Sequence, residues 1–416
     1  LLVPIIYILT DGTNSEFSNY FLDILSQFHL LEKNEQLFIL IIFLCSIYFI
    51  KNLFLGYVHW IQATITTNIQ VNLSNGFFKK YINKSILYHS KKNSATALRD
   101  LLSETSQFAK GFVFGIMTLV FEVIISMFVF AVILFTDPKT ALIIFLFFLF
   151  IALFFGNYFK NMLQQWARER QLGEQERYKN FQESVGSIRE IKILGKLPLL
   201  VERFSFFNKS IYEIIKKMNL MSVYPKLAIE FLLVLFISLI SIYFLLIGYP
   251  FDRIILILGI LAVCSLRLMP VITKIVHSAN MVQYSKPSLD VLYKYFLEKD
   301  ETENEINNLV NKNKVTFEND IVINRVTFSY NYEQKPVIEN LNLEINYGNT
   351  IGIIGSTGSG KSTLIDLILG LLKPKHGDIK VDNTSIFENR TSWNKLIGYV
   401  PQNIFISDDT ILRNIA

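Results

Sequence analysis

The chain has 416 residues, 51% of them hydrophobic and 36 of them phenylalanine, with 40 Lys+Arg against 35 Asp+Glu for a formal net charge of +5. That apolarity excludes an ordinary soluble protein and a disordered chain, and reads as a membrane protein with a soluble appendage. Residues 316–416 hold 9 Lys/Arg against 11 Asp/Glu, so the basic surplus sits in the apolar part, which argues against nucleic acid as a partner. Cys45 and Cys264 each lie inside an apolar run and read as buried packing, with no disulfide framework or metal pair.

In chain order, the first apolar stretch ends near Thr10, about half of what a bilayer crossing needs, so a first span is expected to be cut and the true N-terminus to lie upstream. Tyr20–Leu31 places Phe21, Leu22, Leu25 and Phe28 near helical spacing. This admits either a short helix on the outer membrane surface or a packed apolar patch in an exported loop. Five full-length apolar runs follow, near Leu37–Val58, Gly111–Phe135, Thr140–Tyr158, Leu227–Tyr249 and Ile254–Ile275. The expectation is a six-span α-helical membrane domain with its first span truncated.

The connections alternate between short and long, and lysine and arginine orient them. His59–Lys110 carries 7 Lys/Arg and Lys160–Lys226 carries 13, whereas Asp11–Gln36 has Lys33 against five acidic residues. By the positive-inside rule the two long connections are cytoplasmic. They mix charges with scattered apolar residues, including Ile188, Ile191, Ile193 and Leu194, and are expected to be helical. Thirty extra helical residues reach about 45 Å below the membrane.

Charges inside the spans are the next signal. At about 1.5 Å per residue, Lys51 lies about 21 Å down span two and Arg267 about 20 Å down span six. Two cations at one depth are candidate contacts for an anionic headgroup such as a diphosphate. The alternative is neutralisation by Glu122 or Glu230, or snorkelling of Lys51 to the inner headgroups. Pro270 is expected to bend span six.

Past an acidic, lysine- and asparagine-rich linker at 288–315, the final segment opens with T-I-G-I-I at Thr350–Ile354, which reads as a buried strand. The run Gly355-Ser356-Thr357-Gly358-Ser359-Gly360-Lys361-Ser362 follows, then Thr363, and a helix is expected from Lys361 to Leu372. The spelling G-x-x-x-x-G-K-[ST] is a phosphate cradle. Backbone N–H groups and a helix N-terminus surround the phosphates, the lysine reaches the β and γ groups, and the Ser362 hydroxyl ligates Mg²⁺. The expected fold is thus a membrane domain at 1–287 and a partial α/β P-loop ATP-binding domain at 316–416.

These residues resemble the ATP-binding cassette exporters of the half-transporter type along the whole chain. Phe328-Ser329-Tyr330, 25 residues before Gly355, resembles the family's adenine-stacking loop with Tyr330 as its aromatic. Val400-Pro401-Gln402 resembles the loop whose glutamine contacts Mg²⁺ and the attacking water, and Asp409–Ile415 is similar to the segment after it. The resemblance implies ATP and Mg²⁺ as cofactors, a homodimer, and docking tips at Leu87–Ala97 and Gly186–Gly195. The first tip shows Asn93-Ser94-Ala95 where members often have a glycine. It also implies a signature segment, catalytic carboxylate and switch histidine beyond Ala416, so that hydrolysis is expected of the parent protein and not of these residues alone.

A narrower resemblance, to bacterial lipid-linked oligosaccharide flippases, is carried by Leu266-Arg267-Leu268-Met269-Pro270 and Lys51. It implies an anionic lipid-linked substrate and an inner-membrane location with a cytoplasmic nucleotide domain. Export of peptides, drugs or other lipids, and an ATP-sensing receptor or channel, stand as alternatives.

Overall fold

In this computed structural model the described residues are 33–298 and 315–415, except 92, 137, 249–250, 332–334, 389, 403 and 405. Side chains at 33–37, 39–40, 132–133, 135–136, 139–141, 143–144 and 251–267 are likewise outside the description. The stub and Tyr20–Leu31 therefore lie outside the described residues. The chain divides into two compact units. One takes Leu1–Asn72, Ser106–Gln164 and Met218–Lys286, and the other Leu73–Thr105, Gln165–Lys217 and Pro287–Ala416.

The first unit is helical. It holds the start of α1 (Lys33–Ile82), α4 (Phe114–Thr136), α5 (Pro138–Tyr158), and parts of α8 (Leu197–Leu246) and α9 (Phe251–Leu297). Pro138 opens α5 where a missing N–H costs nothing. α9 is helical through Pro270, whose carbonyl accepts from the Thr273 hydroxyl at 2.9 Å. The core packs Phe148, Ile151 and Phe155 of α5 on Ile229 and Leu233 of α8 and Leu268, Ile272 and Val276 of α9. Outside that core the apolar side chains stay exposed, Phe128 and Phe150 among them. That is the expected arrangement where the solvent is lipid. Among the described residues, four helical stretches, Ile41–Ile82, Ser94–Ala131, Phe145–Gly186 and Leu197–Leu246, are long and apolar enough to cross a membrane. Cys45 is exposed on α1 and so is not buried packing, because this stretch of α1 leaves most of its side chains uncovered.

The second unit gathers the two long connections with the nucleotide-binding segment. The first connection turns through α2 (Ile86–Lys91) and α3 (Ser94–Arg99). The Asn93 side chain caps α3 by accepting from the Ala95 N–H at 2.9 Å, which supplies locally what a glycine would have left open. Beyond Arg99 the helix widens into π turns at Asp100–Glu104 and Phe108–Val113 before regular α4 begins. The second connection is α6 (Lys160–Gly186), α7 (Ile188–Leu194) and the first part of α8, with Gly195 at φ 62° ending α7 in the left-handed conformation.

A buried carboxylate ties these elements together. Glu104 is 0% exposed; its two carboxylate oxygens accept from the one Arg170 nitrogen Nη2 at 3.2 and 3.3 Å, and it also accepts from Gln171 Nε2 at 2.7 Å and from the Ser288 hydroxyl at 2.5 Å. Arg170 also donates to Glu174 at 3.0 Å. Ser288 is itself fully buried, and helix continues to Leu297, so the stretch that reads as a solvated linker starts as packed helix.

The sheet is β1 (Asp320–Phe328), β2 (Ile338–Asn346), β3 (His376–Val381) and β4 (Thr384–Ser385), in the order β2-β1-β3-β4 and antiparallel throughout. Alternate residues of β1, including Ile321 and Ile323, and then Val326 and Phe328, face a core completed by Leu367, Ile379, Val381, Ile386 and Trp393. The alternation slips at a bulge between Ile323 and Val326, where Arg325 takes φ 48°. Gly377 crosses this bulge so closely that a Cβ would stand 2.4 Å from the Asn324 and Arg325 carbonyl oxygens. The expected strand at Thr350–Ile354 belongs to no sheet, and Ile354 is 97% exposed. No strand among the described residues lies beside it to complete a ladder.

Candidate functional site

The phosphate loop is built by glycine conformations that side-chain residues disfavour. Gly358 has φ 85° and Gly360 φ 91°, and a Cβ on Gly360 would meet the Val337 carbonyl at 3.3 Å. A Cβ on Gly355 would meet the Ser359 hydroxyl at 2.7 Å. The Ser359 N–H turns back onto the Ser356 carbonyl at 3.2 Å, and α10 (Lys361–Ile368) starts at once. Its first backbone bond is from the Leu364 N–H to the Gly360 carbonyl at 2.9 Å. The amides of Lys361, Ser362 and Thr363 thus stand at the helix start with no intrahelical acceptor, as helix geometry requires.

Gly370, at φ 72°, stops α10 short of the expected Leu372 by closing the last turn, with the Gly370 N–H bonded to the Leu367 carbonyl at 3.0 Å. Trp393 of α11 (Arg390–Asn394) donates from Nε1 to the Ile368 carbonyl at 2.9 Å, which satisfies one of the terminal acceptors. Burial raises the Asp366 carboxyl above its ordinary range.

Lys361 folds back over the loop. Its ammonium donates to the carbonyls of Gly355 and Ser356, both at 2.8 Å. Two acceptors on the loop's own backbone hold the cation at the loop. Ser362 is exposed at the helix start, open to a cation. A magnesium ion bound with nucleotide takes most ligands from phosphates and water, so one or two protein oxygens suffice. Consistently, among the described residues no group of three or more His, Cys, Asp or Glu stands ready to hold a metal alone.

The other expected nucleotide contacts are placed less closely together. Tyr330 packs edge-on against Phe328 with centroids 5.1 Å apart, and its hydroxyl meets the buried Thr363 hydroxyl at 3.0 Å. The aromatic is thereby anchored to the first turn of α10. Gln402 is exposed, and no hydrogen bond among the described residues joins it to the loop. Asp409–Ile415 forms α12 (Ile411–Ile415) with a turn before it, held by Asn414 against the Ser407 N–H and hydroxyl at 2.9 and 2.8 Å. In the first tip, Leu87 of α2 packs on the same apolar cluster that carries β1 and α10. The expected docking tip therefore touches the nucleotide-binding segment within one unit.

The membrane candidates lie in the other unit. Lys51 sits over the Tyr48 ring at 5.0 Å on an exposed part of α1. The Arg267 side chain is outside the description, and its backbone belongs to α9. Glu122, 3% exposed in α4, pairs with Lys274 of α9 at 2.7 Å. Sequence reasoning missed Lys274, although its position seven residues after Arg267, two helical turns, was the available signal.

Comparisons with known proteins agree with this layout. The family model for the ABC transporter transmembrane region matches residues 1–268, and the model for the ABC transporter itself matches 338–414. Among curated proteins, heavy metal tolerance factor 1 of Caenorhabditis elegans is 42% identical over 97 residues, covering 23% of this chain and 12% of that protein. The ATP-dependent lipid A-core flippase of Wigglesworthia glossinidia brevipalpis is 35% identical over 98 residues, covering 23% and 17%. The pediocin PA-1 transport/processing protein PedD of Pediococcus acidilactici is 37% identical over 99 residues, covering 23% and 14%. The chain thus matches well under half the length of these relatives. A solved bacterial Atm1-family ABC exporter with ATP bound shares the fold at a TM-score of 0.73 and 14% identity, covering 92% of this chain and 68% of that one.

Proposed function

The chain belongs to the ABC transporter family, and on that premise we propose that it is the membrane-spanning and ATP-binding part of an ATP-driven translocase that moves an anionic lipid-linked substrate across the inner membrane. One observation carries the reading: the family's transmembrane region and a phosphate loop with its lysine held at the loop occur on a single polypeptide. ATP with Mg²⁺ is the energy source, held by Gly355–Thr363, with Ser362 and Gln402 on the metal side and Tyr330 against the base.

Within the cytoplasmic unit the physics of coupling is direct. Bound nucleotide supplies negative charge to the loop and its γ-phosphate supplies hydrolytic free energy. Lys361 exchanges two carbonyl acceptors for phosphate oxygens, a charge-assisted bond roughly twice as strong as a neutral one. Tyr330 and Thr363 fix the helix that carries the lysine, and Leu87 ties the first cytoplasmic tip to the same core. A second copy of the chain is the proposed partner. Closure of the nucleotide domains then pulls on the tips and rocks the spans as a two-state hinge.

The lipid-linked diphosphate class is favoured by two membrane-depth cations, Lys51 and Arg267, and supported by a relative named as a lipid A-core flippase. The test is Lys361→Ala in the full-length protein. It is expected to abolish ATP hydrolysis and nucleotide-driven lipid transport in vesicles. A variant that transports at the wild-type rate refutes the assignment.

A further inference from the structure

One seam in the membrane unit brings two helices into close approach. A Cβ on Gly111 would stand 1.9 Å from the Ser285 hydroxyl oxygen, and one on Gly115 would stand 2.9 Å from Val282 Cγ2 and 3.4 Å from the Ser278 carbonyl. Gly115, Thr118 and Glu122 follow helical spacing on α4, as do Ser285, Val282, Ser278 and Lys274 on α9, while Gly111 reaches Ser285 from the preceding π turn. Small residues let the two backbones approach, as at other membrane helix interfaces. The Thr118 hydroxyl is buried in this seam without a partner among the described residues. At its end stands the Glu122–Lys274 pair.

That pair is lopsided. The Glu122 side chain is 3% exposed and Lys274 57% exposed, at 2.7 Å. A carboxylate sealed in an apolar span costs several kcal/mol unless paired, which explains why a cation accompanies it. It does not explain why the cation remains more than half open. An ammonium has three donors, and Glu122 takes one. Position 267 lies two turns away on the same helix face, about 10.5 Å along the axis.

We propose that Lys274 is an anion-contacting position for the transported substrate, with Glu122 as the resident counter-ion that a phosphorylated lipid headgroup displaces. The inference rests on the anionic-lipid reading given above and sharpens it. At rest the pair is neutral, so the carboxylate stays sealed while the ammonium stands open at the inner end of the span. On loading, headgroup oxygens take the two remaining donors and then compete with the Glu122 carboxylate. Positions 267 and 274, two turns apart on α9, place two cationic residues of the sequence in a two-step ladder matched in sign to a diphosphate.

The experiment measures stimulation of ATP hydrolysis in nanodiscs holding the full-length protein, titrated with a polyprenyl diphosphate and, separately, with the uncharged polyprenol. The wild type is expected to respond saturably to the diphosphate alone. Lys274→Gln is expected to raise the half-saturating concentration tenfold or more, and Lys274→Arg to stay within threefold. Glu122→Gln is expected to lower it severalfold, because the competitor has lost its charge. A pair that serves only as a clamp moves Glu122→Gln and Lys274→Gln in the same direction. That result overturns the ladder and leaves the substrate class standing. If Lys274→Gln does not fold, the sign of the Glu122→Gln shift decides alone. A wild type indifferent to the diphosphate overturns the substrate reading and the ladder with it.

Discussion

Replacing Glu104 with glutamine tests the second unit where its elements meet. The carboxylate accepts two bonds from Arg170, one from Gln171 and one from Ser288, and none of its surface reaches solvent. Breaking a buried ion pair by neutralising one member costs about 3–5 kcal/mol, because the other charge stays buried. Arg170 keeps Glu174 at 3.0 Å, which places the expected loss at the lower end, about 3 kcal/mol. At about 1.4 kcal/mol per tenfold, local opening should become roughly a hundredfold more frequent. Amide hydrogen exchange read by mass spectrometry on peptides spanning 100–108 and 166–175 reports that opening. Adding both Arg170→Met and Glu174→Gln to Glu104→Gln should recover part of the loss, since none of the three charges is then left buried without its partner. Exchange within threefold of wild type in Glu104→Gln refutes the claim that this carboxylate holds the elements together.

Two further outcomes follow from the nucleotide-binding segment. Tyr330→Ala should raise the Kd for ATP about 5- to 150-fold, from a stacking contact of about 1–3 kcal/mol, in a fluorescent-nucleotide titration; an unchanged Kd removes Tyr330 from the site. Asp382 gives a pH dependence. Partial burial alone would raise its carboxyl, but the N–H groups of Glu318, Asn319 and Asp320 more than reverse this and hold it below the ordinary value of 3.8. A depressed carboxyl stabilises the fold above its unfolded value and loses that contribution as pH falls through the folded one. Wild type should therefore lose melting temperature faster than Asp382→Asn as pH is lowered from about 4; parallel acid limbs would contradict it.

The helical membrane part was legible because the apolar runs near Leu37–Val58, Gly111–Phe135, Thr140–Tyr158 and Ile254–Ile275 fall on helices, as does the run from Leu227 as far as Leu246. The phosphate loop was legible because its glycines and lysine have few alternative uses. What was hidden depends on register between distant segments. Nothing near Glu122 in sequence says that Lys274, 152 positions on, is its partner, and Lys51 and Arg267 looked equally suitable. The Thr350–Ile354 run has strand composition, yet a strand exists only beside another. Ser288 was read with the charged stretch that follows it, whereas its hydroxyl faces Glu104, 184 positions earlier.

The two widened turns at Asp100–Glu104 and Phe108–Val113 have a geometric consequence of their own. A π turn accommodates an additional residue in the same rise, so each one rotates everything beyond it by about 100° relative to an unbroken α-helix. Wheel diagrams drawn straight through residues 94–136 therefore assign the wrong faces on one side or the other.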